Sequence, residues 1–188
     1  MIDSIPSEKK FQNSLHHRKN IALKMATESH PANRTINEEI IINAPISRVR
    51  TILFDFASYP SWSKFVQKIE QQDVSPGTPL AIGQKLSVTM GEEGTAGTTM
   101  TMDVAHVDEN GFGWTGKLAS NYIFGGFHMF LLSDAGNGQT KLRHREEFSG
   151  VLYAPLFVWS GMEAKSKVNY AKFNESVKAR AEQEESKL

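Results

Sequence analysis

Residues 36–62, INEEIIINAPISRVRTILFDFASYPSW, change hydrophobic period twice, and that change decides the fold. Ile36, Glu38, Ile40 and Ile42 alternate with Asn37, Glu39, Ile41 and Asn43, the period of a strand. Ala44-Pro45 stops the alternation. From Ile46 to Asp55 the apolar positions 46, 49, 52, 53 and 56 fall at helical spacing, with Ser47 and Arg48 on the outer side. Ser58-Tyr59-Pro60-Ser61-Trp62 then predicts a second short helix, with Pro60 in its first turn and its end near Phe65.

Downstream, the punctuation is that of an antiparallel sheet. Val66 to Val74 reads as a strand closed by Pro76-Gly77 and Pro79, and Gln84 to Met90 as another closed by Gly91 to Gly97. Thr98 to Val107 and Phe112 to Leu118 flank Asn110-Gly111, a strong hairpin signal. Tyr122 to Ser133 and Gln139 to Phe148 flank Gly136-Asn137-Gly138, a second hairpin, and Gly125-Gly126 suggests a bulge or sharp bend. From Pro155 to Glu185 only Gly161 breaks the pattern. Trp159, Met162, Ser166, Tyr170, Phe173 and Val177 share one stripe, which predicts a long C-terminal helix with a single apolar face. The expected architecture is α+β: a curved antiparallel sheet of about seven strands wrapped around that helix, the two short helices closing one end. Residues 1–34 read as an extension, with at most a short helix around Phe11 to Met25, and residues 35–188 as the single domain.

With 188 residues, 21 Lys+Arg, 21 Asp+Glu and no net charge, the chain has no overall basic field for nucleic acid or an anionic membrane. It contains no Cys, which excludes disulfides, thiolate zinc sites and cysteine nucleophiles. No apolar run approaches the ~20 residues that span a bilayer. The first thirty residues lack an apolar signal region, and Asp3 and Glu8 argue against a mitochondrial presequence, so the expected location is cytoplasmic. No GxSxG elbow, Walker loop or dinucleotide fingerprint is present.

The chain resembles the helix-grip proteins of the START-like (SRPBCC) superfamily, which includes polyketide cyclases and dehydratases, coenzyme Q-binding proteins and the Bet v 1 allergens. The resemblance is carried by Ile42-Asn43-Ala44-Pro45 with Val49 and Phe54, by Asp55 to Trp62, by Gly126-Phe127-His128-Met129-Phe130, and by Thr140 to Gly150. It covers residues 36–180 and implies a hydrophobic ligand without specifying one.

On the last predicted strand, alternation puts Lys141, Arg143, Arg145 and Glu147 on one face and Leu142, His144, Glu146 and Phe148 on the inner one. Buried ionisable groups need a partner, water or a ligand. His144 and Glu146 are therefore either a mutually satisfied structural pair or a catalytic one, in which the carboxylate orients a histidine base. Periodicity leaves the side of His128 open, and the resemblance implies that it faces inward. The outward Phe127, Met129 and Leu131 would then form an apolar strip needing a cover, either the N-terminal extension or a second subunit in a homodimer formed through the outer sheet face.

Two His and one Glu could ligate a metal, yet no HExxH-like spacing accompanies them, and neither metal nor cofactor is expected. Trp114, Trp62, Phe130, Leu142, Phe148 and Met102 are candidate cavity walls, with Met90 and Met100 adding adaptable apolar surface. Tyr59, Tyr122 and Tyr153 could donate to a polarised carbonyl, and core filling is the alternative for each of these residues. The resemblance implies a cofactor-independent cyclase of secondary metabolism acting on a hydrophobic poly-keto intermediate, with His144 as base, Glu146 orienting it, His128 as acid or enolate stabiliser and Trp114 shaping the cavity. The rival readings are a non-catalytic carrier of a lipid, sterol or quinone, and an interaction module.

Overall fold

A computed structural model describes residues 34–75 and 77–183. Strand β1 (Thr35–Ile42) leads through Ala44-Pro45 into α1 (Ile46–Phe54), then a 3-10 turn (Phe56–Ser58) and the short α2 (Tyr59–Trp62). Six strands follow: β2 (Val66–Gln71), β3 (Lys85–Met90), β4 (Thr98–Asp108), β5 (Gly111–Leu118), β6 (Phe124–Gly136) and β7 (Gln139–Ser149). A π-helical turn (Ala154–Val158) precedes the long helix α3 (Met162–Gln183). The strands make one antiparallel sheet in the order β1-β7-β6-β5-β4-β3-β2, in which β1 returns to pair with β7. This is the expected helix-grip fold, a curled sheet around a C-terminal helix.

Alternation explains which side chains fill the concavity. Ile36 and Ile42 of β1, Leu86 and Val88 of β3, Met102 and Val104 of β4, Phe112 and Trp114 of β5, Phe130 and Leu132 of β6 and Leu142 of β7 are all buried. α1 adds Val49, Ile52 and Leu53 from one face. The entry to α1 is pinned to the far strand, because the buried Thr140 hydroxyl donates to the Ala44 carbonyl at 2.7 Å.

α3 is not apolar along its full predicted length. Tyr170, Phe173, Asn174, Val177 and Ala181 are buried. Asn174 Nδ2 donates to the Glu38 carbonyl at 3.2 Å and Lys178 Nζ to the Ile41 carbonyl at 2.8 Å, so the second half of the helix is clamped to β1. Trp159 and Met162, assigned to the same stripe by spacing, are exposed instead. The π-helical turn and the left-handed Gly161 (φ 77°) break the helical phase between them and Tyr170.

A second difference concerns Gly125-Gly126. Pairing runs unbroken through both, and the sheet irregularities lie at Val66/Lys68, Val104/His106 and Asp134/Gly136. These glycines open space rather than bend a strand. On the convex face Met129 is buried, Phe127 and Leu131 are half-buried, and Gly113 makes room for the first two: a Cβ there would stand 2.9 Å from Met129 Cγ and 3.1 Å from Phe127 Cε2. Glu147, outward by alternation, is buried beside Arg145, which pairs with it. The cover expected from residues 1–34 lies, apart from Arg34, outside the described residues.

Candidate functional site

The register of three strands assembles the polar centre of the concave face. Trp114 on β5 stands opposite His128 on β6, His128 opposite Glu146 on β7, and Phe130 opposite His144. α3 lays Tyr170, Phe173 and Asn174 over them. The inward placement of His144 and Glu146 agrees with the alternation, and that of His128 with the resemblance.

The four polar groups form a contiguous series. His144 Nε2 and His128 Nε2 are 2.7 Å apart, His128 Nδ1 lies 3.5 Å from Glu146 Oε2, and the Tyr170 hydroxyl donates to that same carboxylate oxygen. Aromatic rings fix the imidazoles from both sides. His144 stacks on Tyr170 (centroids 4.1 Å apart, planes 8° apart) and His128 on Trp114 (4.8 Å and 9°). His144 and His128 are buried, while the Glu146 side chain retains 16% of its exposure. The accessible end of the series is the carboxylate, and the expected base, His144, lies behind Tyr170, Phe130 and Phe173.

Burial pushes His144 well below the usual histidine range, and the neighbouring His128 adds repulsion that the Asn174 side chain only partly offsets. His144 is thus neutral near pH 7. Between two imidazoles only one Nε2 can donate. Asn174 Oδ1 accepts only, and neither it nor His144 Nδ1 has another partner, which favours the proton on Nδ1 of His144 and donation from His128 Nε2. His128 Nδ1 then faces the Glu146 carboxylate.

Two facing glycines make room beside the carboxylate. Gly116 pairs with Gly126 on the concave side; a Cβ on Gly126 would stand 2.6 Å from Glu146 Oε1, and one on Gly116 2.5 Å from Met102 Sδ. A groove of about 520 Å³ opens elsewhere, between the first half of α3 (Ala164, Lys165, Val168, Asn169, Lys172) and Glu92 and Glu93 of the β3–β4 turn. Lys165 Nζ meets Glu92 Oε1 there at 3.1 Å, and no member of the histidine series lines it.

The other candidates divide. Trp114, Phe130 and Met102 are buried around the series or its glycine gap. Leu142 belongs to the main core, and Phe148 packs with Ile36, Tyr153, Phe157 and Tyr170 in a second cluster. Tyr59 is wholly buried and donates to the Leu53 carbonyl at 2.8 Å; burial, reinforced by Asp55, pushes its phenol far up, so it acts as core. Trp62 is half-buried against Tyr59 and Phe173. Tyr122, expected at the cavity, is instead 74% exposed in the loop before β6, outside the polar cluster. Sequence reasoning missed Tyr170 and Asn174 as site residues. Their signal was the presence of polar groups on the otherwise apolar stripe of α3. Among the described residues no group of three or more His, Asp or Glu side chains is arranged to hold a metal ion.

The family model described as "Polyketide cyclase / dehydrase and lipid transport" matches residues 33–182. The chain belongs to that family. Similar solved structures include the Zhui aromatase/cyclase from Streptomyces sp. R1128, at 15% identity over 80% of this chain and 94% of that one, with a TM-score of 0.61. A START superfamily protein from Mycobacterium smegmatis matches at 17% identity over 79% of this chain and 97% of that one, with a TM-score of 0.59. A Helicobacter pylori protein, jhp0584, matches at 13% identity over 96% and 98%, also with a TM-score of 0.59. At such identities the likeness is one of fold. Among curated proteins no sequence matches the chain. No helix among the described residues is long and apolar enough to cross a membrane.

Proposed function

We propose that this family member is a cofactor-independent cyclase-like enzyme that moves a proton on a hydrophobic keto compound held against the concave face. The observation that carries the reading is the series Tyr170–Glu146–His128–His144, whose one partly accessible member is a carboxylate. In the proposed step Glu146 removes a hydrogen from a carbon between two carbonyls. The electron pair moves into one carbonyl as an enolate, the enolate carbon attacks a second carbonyl of the same chain, and the proton returns to the new alkoxide. His128 shares the proton taken by Glu146, and neutral His144 holds the His128 ring in place, so the roles of carboxylate and deep histidine are reversed relative to the sequence-based expectation. Tyr170, already donating to Glu146, keeps the carboxylate oriented.

Hydrogen–deuterium exchange at the α-carbon of a medium-chain β-keto thioester, followed by proton NMR, tests this. Wild type accelerates the exchange, and Glu146→Gln, folded by circular dichroism, lowers the catalysed rate by roughly 10²–10⁴-fold. An unchanged rate in that variant, or no acceleration by wild type, overturns the reading. The complete burial of both imidazoles favours a carrier as the second reading, and binding of the thioester without exchange is its signature.

A further inference from the structure

The series Tyr170–Glu146–His128–His144 can carry its protons in two orders. In the first, His144 holds its proton on Nδ1, His128 donates from Nε2 to His144 Nε2, and His128 Nδ1 faces Glu146 with a lone pair. In the second, His144 donates from Nε2 to His128, and His128 donates from Nδ1 to the carboxylate. The second order gives Glu146 a charge-assisted hydrogen bond, so these groups by themselves would adopt it.

The closed end of the series decides otherwise. Glu38 of β1 stands directly opposite His144 of β7. Its carbonyl, which can only accept, takes the Asn174 Nδ2–H at 3.2 Å and so turns the amide nitrogen toward β1. Asn174 lies one turn beyond Tyr170, which stacks on His144, and next to Phe173, whose ring meets His144 edge-on at 5.3 Å. The amide oxygen is thereby left to His144, and Asn174 Oδ1 and His144 Nδ1 are both buried with no other partner. In the second order two lone pairs would meet there, on residues 2% and 0% exposed. The first order sets its facing lone pairs at Glu146 instead, whose side chain keeps 16% of its exposure and already accepts from Tyr170. Unsatisfied acceptors cost most where solvent is excluded, which selects the first order.

We propose that Asn174 is a positioning residue: its amide oxygen, acting through His144, fixes the proton of His128 on Nε2 and keeps His128 Nδ1 open to a proton that Glu146 takes up. The benefit to the reaction rests on the reading of Glu146 as the base, whereas the proton order does not. With Nδ1 open, the hydrogen removed from carbon as a proton is held between Glu146 Oε2 and His128 Nδ1, and it leaves from there to the new alkoxide. With the order reversed, His128 already donates to Glu146 before substrate arrives, and the carboxylate is a weaker base.

Long-range proton–nitrogen NMR correlations of the isotopically labelled full chain, near neutral pH, read which nitrogen of each imidazole is protonated. The signals lost in His144→Phe and His128→Phe identify the two rings. Wild type should show Nδ1–H on His144 and Nε2–H on His128. In Asn174→Leu both histidines switch, and α-carbon exchange at saturating thioester falls about tenfold or more. Lys178→Met, which frees the same helix from the Ile41 carbonyl, changes neither readout. A wild-type His144 protonated on Nε2, or on both nitrogens, overturns the proposal without any variant. An unswitched pattern in folded Asn174→Leu does so too, as does a switch in Lys178→Met, which would make the clamp on β1 the cause. The expected pattern in a wild type that catalyses no exchange refutes the base role of Glu146 and leaves the proton order standing.

Discussion

Lowering the pH from 7.0 to 5.5 should cost this protein stability through His144 in particular. The unfolded chain offers this histidine an ordinary pKa of 6.5, whereas in the folded state burial and the adjacent His128 hold it well below that value. The unfolded state therefore binds a proton that the folded state refuses, so stability falls as pH drops below about 6.5 and continues to fall until the folded pKa is reached. At pH 5.5 an unfolded histidine is about nine-tenths protonated, against about a quarter at pH 7.0, and integrating between them gives about 1 kcal/mol from this one residue. Urea unfolding followed by tryptophan fluorescence at the two pH values measures it. In His144→Phe the ring remains among Tyr170, Phe130 and Phe173, but the titration is gone. The substitution shifts stability at both pH values by leaving His128 Nε2 without its partner, and that offset cancels in the comparison. Wild type should lose about 1 kcal/mol more than the variant over this pH step. Equal losses would refute a neutral buried His144, and with it the assignment of His128 as the donor between the two rings.

Gly126→Ala places a methyl where Glu146 Oε1 now lies, 2.6 Å from the new Cβ, and the obstructing atom is the end of a flexible side chain. This variant should fold with little loss of stability yet lower the α-carbon exchange as Glu146→Gln does; full activity would show that the carboxylate position is immaterial. Thr140→Val keeps the side-chain shape but strips the Ala44 carbonyl of its buried 2.7 Å donor. A cost of about 1–3 kcal/mol is expected, read as a lower urea midpoint with an unchanged slope; an unchanged midpoint would mean that the carbonyl finds another donor.

Much of this molecule follows from local pattern. Alternation along Ile36 to Ile42 and Thr140 to Phe148, the Ala44-Pro45 stop and the Asn110-Gly111 and Gly136-Asn137-Gly138 turns are short-range signals, and they set the strands, their order and the inward faces of His144 and Glu146. A strand's period is fixed by its own backbone, so it survives any tertiary context. What lies opposite a residue is not local. Only cross-strand register brings His128 to Glu146, and only the seat of α3 against β1 delivers Tyr170 and Asn174 to the histidines. Helical spacing likewise placed Trp159 and Met162 with Tyr170, because a periodicity count cannot see the π-helical turn and left-handed Gly161 that reset the phase. The sequence by itself determined which side chains of β1 and β7 face the concavity. The tertiary structure decided which of them meet, and which one stays within reach of a ligand, because burial and hydrogen bonding are properties of the assembled surfaces rather than of any segment.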